Sequence, residues 1–167
     1  MKVQAIVYTS MTGYTAQYAT LLSKKTGLPV YTLQEAVKKI PPKMPVLFMS
    51  WLMAGTLVDY KKAKKSMNIV ACCAVGLNAT GEQAQATRKN TGIADSVLLF
   101  PLPGGYNPNK LKGPYKWAMK MVTGILIKKI SAKEDKSEED ESMLYTLQHG
   151  GSFVHEENLT AVLSYLA

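Results

Sequence analysis

Five apolar runs, at residues 3–9, 29–33, 45–51, 67–76 and 95–102, are separated by stretches whose apolar positions recur at helical spacing. These helical patterns fall roughly at 14–26, 56–65 and 81–91, with a last one at 156–166. Strands joined by helices cannot pair as tight hairpins, because each helix has to cross over the sheet. The alternation therefore predicts a parallel sheet covered on both faces. In such a sheet ligands sit beyond the carboxyl ends of the strands, where the strand order reverses. The segments that follow the first, third and fourth runs are thus the candidate site. With 167 residues, 47% of them hydrophobic, the chain can bury a full core, and the reading is one domain spanning 1–167.

The first of these segments is the most informative. Residues 3–15, VQAIVYTSMTGYT, run from an apolar strand through Thr9, Ser10, Met11, Thr12, Gly13, Tyr14 and Thr15 directly into the helical pattern AQYATLLSKK. Gly13 lets the backbone close around an anion, and the N–H groups at a helix start point toward negative charge. Four hydroxyl residues add side-chain donors, so the loop can hold a phosphate without a Lys or Arg in it. A Ser/Thr-rich turn with an ordinary helix cap is the plain alternative. Neither GxxxxGK[ST] nor GxGxxG is present, which leaves nucleoside-triphosphate and dinucleotide loops unsupported.

The second segment is Ser50, Trp51, Leu52, Met53, Ala54 and Gly55; the third is Gly76, Leu77, Asn78, Ala79 and Thr80. Trp51 offers a surface on which a flat heteroaromatic ring could stack, or it simply covers the end of the sheet; both readings stand. Asn78, Thr80 and the loop backbone can meet the hydrogen-bonding edge of a ring while Leu52, Met53 and Leu77 exclude water. One polar loop and two mixed ones suit a ligand with a phosphate at one end and an aromatic system at the other. The three loops contain no Asp or Glu; Asp59 and Glu82 lie nearby in sequence.

No side chain stands out as an acid, base or nucleophile, and no metal-ligand spacing occurs. His149 and His155 are isolated, and CxxC and HExxH are missing. Adjacent Cys72 and Cys73 should point to opposite faces of a strand, as buried thiols rather than a disulfide. The apolar stretch from Trp117 to Ile127 is interrupted by Lys120 and is shorter than the roughly 18 residues of a membrane span. With no signal peptide evident, the expected location is cytoplasmic.

Charge is distributed unevenly. Residues 1–130 hold 18 Lys and Arg against 4 Asp and Glu, whereas residues 131–167 hold 2 against 8. Within 110–130, Lys112, Lys116 and Lys120 recur at helical spacing opposite Tyr115, Ala118, Met119, Val122 and Leu126. This inserted basic helix is read chiefly as one that packs on its own sheet, with docking on an acidic partner or an anionic membrane left open. Residues 131–142 read as a charged, mobile linker. Nucleic acid is not an expected partner: the chain has one Arg and no interleaving of aromatic with basic residues.

The pattern T-x-x-T-G-x-T directly after the first strand resembles that of the flavodoxins, whose loop holds the monophosphate of FMN. The resemblance extends over nearly the whole chain, most clearly at 3–15, 45–65 and 67–81. It implies a three-layer α/β fold with a five-stranded parallel sheet in the order 2-1-3-4-5. It also implies noncovalent FMN, with residues 9–15 on the phosphate and residues 50–55 and 76–80 flanking the ring. The function expected from it is electron transfer to a redox partner, here one with an acidic docking face. More loosely, Gly76-Leu77-Asn78-Ala79-Thr80, Leu102-Pro103-Gly104-Gly105-Tyr106 and the long basic helix are similar to the menaquinone-dependent protoporphyrinogen oxidase branch. That similarity implies a quinone-linked flavin oxidoreductase with a peripheral membrane or quinone contact. A flavodoxin-fold accessory protein for a partner reductase is the third reading.

Overall fold

The computed structural model describes residues 2–77 and 81–167, and two compact units divide the chain: residues 1–104 with 154–167, and residues 105–153. The first unit begins with β1 (Ala5–Tyr8), α1 (Tyr14–Thr26), β2 (Val30–Thr32), α2 (Leu33–Lys39) and β3 (Pro45–Met53). It continues through β4 (Thr56–Leu57), α3 (Tyr60–Ser66), β5 (Asn68–Gly76), α4 (Gly81–Thr91) and β6 (Leu98–Pro103). Five strands pair in parallel in the order β2-β1-β3-β5-β6, the order that the flavodoxin resemblance implies, and β4 folds back antiparallel on β3. This is an α/β fold consistent with a three-layer flavodoxin-like architecture.

Strand alternation divides the core into two layers. Ala5, Val7, Val46, Phe48, Cys72 and Ala74 face one side, where Ala36 of α2 and Tyr60 and Ala63 of α3 complete the cluster. Ile6, Leu47, Met49, Ala71, Cys73 and Val75 face the other and meet Tyr18, Ala19 and Leu22 of α1. Cys72 and Cys73 therefore lie on opposite faces, free and buried. Burial pushes the Cys72 thiol up to about 12, only partly offset by the Arg88 charge, and raises Cys73 well above its ordinary value. Both stay protonated and are poor nucleophiles at neutral pH. Arg88 itself is occupied: its guanidinium donates to the carbonyls of Ala94 and Val97 and closes the turn between α4 and β6.

The second unit holds β7 (Gly105–Tyr106), α5 (Gly113–Ser131), α6 (Glu138–His149) and β8 (Gly151–Ser152), with β7 and β8 paired antiparallel and α5 packed on α6. The mobile linker expected over 131–142 is interrupted by structure at 138, where α6 starts. A capping box starts it: the Ser137 hydroxyl accepts from the Asp140 N–H, and the Asp140 carboxylate accepts from the Ser137 N–H. The chain returns to the first unit at Val154, makes a 3-10 turn over Glu156–Leu159 and ends in α7 (Thr160–Leu166). Leu159 and Val162 join the α1 side of the core, and Asn158 donates to the Tyr18 hydroxyl at 2.8 Å. No helix among the described residues is long and apolar enough to cross a membrane.

Candidate functional site

The loop after β1 is shaped by Gly13, whose φ of 98° lies in the left-handed region that a β-carbon disfavours. It stands at the N-cap of α1, which begins without a side-chain cap, and its N–H donates to the Ser10 hydroxyl at 3.1 Å. The first helical N–H groups thus open on the carboxyl side of the sheet. The loop is anchored at its start by the Thr9 N–H, which donates to the Met49 carbonyl at 3.0 Å and extends the β1–β3 ladder.

Beside this loop lies a cavity of about 390 Å³, within the range of small-molecule pockets. Thr9, Ser10, Met11 and Gly13 line it from the loop, with Tyr8 and Ala16 at either end of the turn. Thr32, Leu33 and Gln34 close it at the junction of β2 and α2, and Asp59 and Lys62 at the start of α3. The Thr9 hydroxyl donates to the Asp59 carboxylate at 3.2 Å. An acid therefore adjoins the loop although none occurs within it, and the Lys62 ammonium supplies a compensating positive charge at the same cavity. Four exposed lysines, 61, 62, 64 and 65, make α3 basic.

The segment expected as a second site loop is mainly strand. β3 continues through Met53, and Ala54 and Gly55 form a two-residue turn with φ of 48° and 73°, the paired positive values that a type I′ hairpin needs. Ser50 is fully buried and donates to the Val58 carbonyl at 2.8 Å, holding the hairpin closed. Trp51 is half-buried at the end of the sheet, paired with Val75, and its carbonyl accepts from Val58. Leu52 and Met53 pair with Leu57 and Thr56. None of residues 50–55 lines the cavity.

Gly76 ends β5 and accepts from the Gly104 N–H at 2.6 Å, while Leu77 follows it half-buried. Asn78, Ala79 and Thr80 lie outside the described residues. Of the first loop, Thr12, Tyr14 and Thr15 do not line the cavity; Thr15 is buried, and Tyr14 packs partly on the α1 side of the core, where burial raises its phenol. The β2–α2 junction was not expected at the site, and Asp59 and Lys62 were expected only as nearby charges rather than as lining residues. The order 2-1-3 makes the end of β2 a neighbour of the β1 loop, which was the signal available for that junction.

No protein-family model, curated protein or solved structure matches the chain.

Proposed function

We propose that the chain is an FMN-binding, flavodoxin-like electron-transfer protein whose β1–α1 loop holds the flavin phosphate. The observation that carries this reading is the loop's place: a hydroxyl-rich turn closed by left-handed Gly13 follows the carboxyl end of β1 and lines a cavity together with the β2–α2 junction and the start of α3. The residues fit such a group. Ser10, the backbone around Gly13 and the start of α1 offer donors for an anion, and Lys62 adds positive charge. Thr9 already donates to Asp59, so its acceptor lone pairs and the carboxylate suit a hydroxylated chain better than a second phosphate.

When bound, FMN would supply one- and two-electron chemistry, with the protein providing binding and electrostatics. Ser10 and Gly13 would orient the phosphate; Tyr8, Met11 and Leu33 would exclude water along the cavity wall. Trp51, half-buried on β3, would flank the ring from outside the cavity wall. The four lysines of α3 support docking of an acidic redox partner at this end of the molecule.

Titration of the apoprotein with FMN and riboflavin tests the reading. FMN should bind about tenfold or more tightly, as charge-assisted hydrogen bonds to a phosphate predict. Gly13→Val should erase most of that difference while leaving the protein folded. Equal wild-type affinities for the two flavins would overturn it.

A further inference from the structure

The second unit carries a feature that the flavin reading does not use. Along α5, Trp117 is 69% exposed, Met121 52% and Ile125 64%, with Val122 at 42%. Trp117, Met121 and Ile125 recur every four residues, so they form one continuous apolar ridge on the part of the helix that α6 leaves uncovered. Folding alone gives no reason to place a Trp and an Ile in water on the same face.

What surrounds the ridge identifies its counterpart. Lys116 and Lys120 are exposed along one flank, Lys128 and Lys129 follow at the carboxyl end, and Lys112 precedes the helix. From Gly113 to Ser131 there is no Asp or Glu. The helix spans about 28 Å at the usual rise per residue, yet its lysines prevent it from crossing a bilayer. An apolar ridge containing Trp and bordered by lysines is the arrangement of a helix lying in a membrane interface. The ridge enters the acyl boundary, and the ammonium groups reach anionic headgroups.

We propose that α5 is an interfacial helix that seats the protein reversibly on anionic membranes, with Trp117, Met121 and Ile125 inserted and Lys112, Lys116 and Lys120 on the headgroups. Electrostatics and insertion act together, because each lysine close to an anionic surface contributes a factor of about five in affinity. The proposal does not depend on flavin binding.

Co-sedimentation of the full chain with phosphatidylcholine vesicles, with and without phosphatidylglycerol, tests it. The protein should pellet with the anionic vesicles at low salt and be released at high salt. Replacing Lys112, Lys116 and Lys120 together by Gln should weaken binding about a hundredfold. Trp117→Ser with Ile125→Ser should weaken it about tenfold or more at unchanged charge, with circular dichroism confirming the fold. Lipids brominated in their acyl chains should quench a fluorescence component that Trp117→Phe lacks. Failure to pellet with anionic vesicles at low salt would overturn the proposal, as would pelleting that the ridge variants leave unchanged. A concentration-dependent dimer abolished by Trp117→Ser would also overturn it, by assigning the ridge to a second copy of the chain.

Discussion

The sheet-containing unit and the 105–153 unit use apolar residues in opposite ways. In the first, β3 and β5 sit in the middle of the sheet and are covered on both faces, with Phe48, Leu47, Met49 and Cys73 fully buried. In the second, Trp117, Met121, Ile125 and Tyr145 are largely in water, and buried apolar residues are few: Tyr106, Leu111, Ile130 and Leu147. Burial stabilises the first unit. The second depends more on local devices, such as the Ser137–Asp140 capping box and the Lys133–Asp140 ion pair at 2.7 Å. Among the described residues α5 alone carries four exposed large apolar side chains, Trp117, Met121, Val122 and Ile125, whereas Val30, Val37, Leu98 and Tyr145 lie singly on four other elements.

The largest effect that tests this contrast is core truncation. Phe48→Ala should destabilise the first unit by about 3–5 kcal/mol, whereas Ile125→Ser should change stability by no more than about 0.5 kcal/mol; denaturant unfolding measures both. A cost for Ile125→Ser comparable with that for Phe48→Ala would mean that the α5 ridge is part of a core. Next comes Gly104→Ala. A β-carbon there would meet Val75 Cγ1 at 2.7 Å and the Gly76 carbonyl oxygen at 3.3 Å, so a loss of about 1–3 kcal/mol is expected.

A smaller effect belongs to the cap of α6, where Ser137→Ala should cost about 1 kcal/mol. The Asp140 carboxyl is held below its ordinary value, first by the hydrogen bond from Lys133 and then by the Ser137 N–H. Because the folded-state value is the lower one, its contribution is complete above the ordinary carboxylate range and is lost as pH falls through the folded value. Amide protection in α6, corrected for the intrinsic pH dependence of exchange, should therefore fall in acid, and Asp140→Asn should remove that component. The smallest expected change is none at all: with both thiols buried and protonated, Cys72 and Cys73 should resist alkylation near neutral pH until the first unit unfolds. Labelling of the folded protein would show that the sheet opens locally.

Much of the fold could be read from local pattern. Residues 14–26 form α1 as expected, because the apolar spacing of Tyr18, Ala19 and Leu22 is helical and Gly27 stops the helix in a left-handed C-cap. The parallel sheet likewise follows from the alternation of strands and helices, whereas its order was expected only from the flavodoxin resemblance. Two helices were not anticipated, although each carries its start signal: Thr32 with Glu35 before α2, and Ser137 with Asp140 before α6. The first was hidden by a three-residue strand, the second by a charge-rich composition. The hairpin at 53–56 leaves no clear sequence signal, because Ala54 adopts a positive φ unusual for its type. Four residues of the candidate loop line the cavity, but its other walls come from β2–α2 and α3. Their approach, including the Thr9–Asp59 bond across fifty positions, is tertiary and leaves no periodic trace.

The β1–α1 loop is proposed to hold a phosphate ester. Amide resonances of an isotope-labelled apoprotein, followed as FMN and then riboflavin are added, test it most directly. Large shifts are expected for Ser10 through Ala16 with FMN, much smaller ones there with riboflavin, and loss of the difference in Gly13→Val. Shifts confined to other parts of the chain, or the same loop response to both flavins, would contradict it.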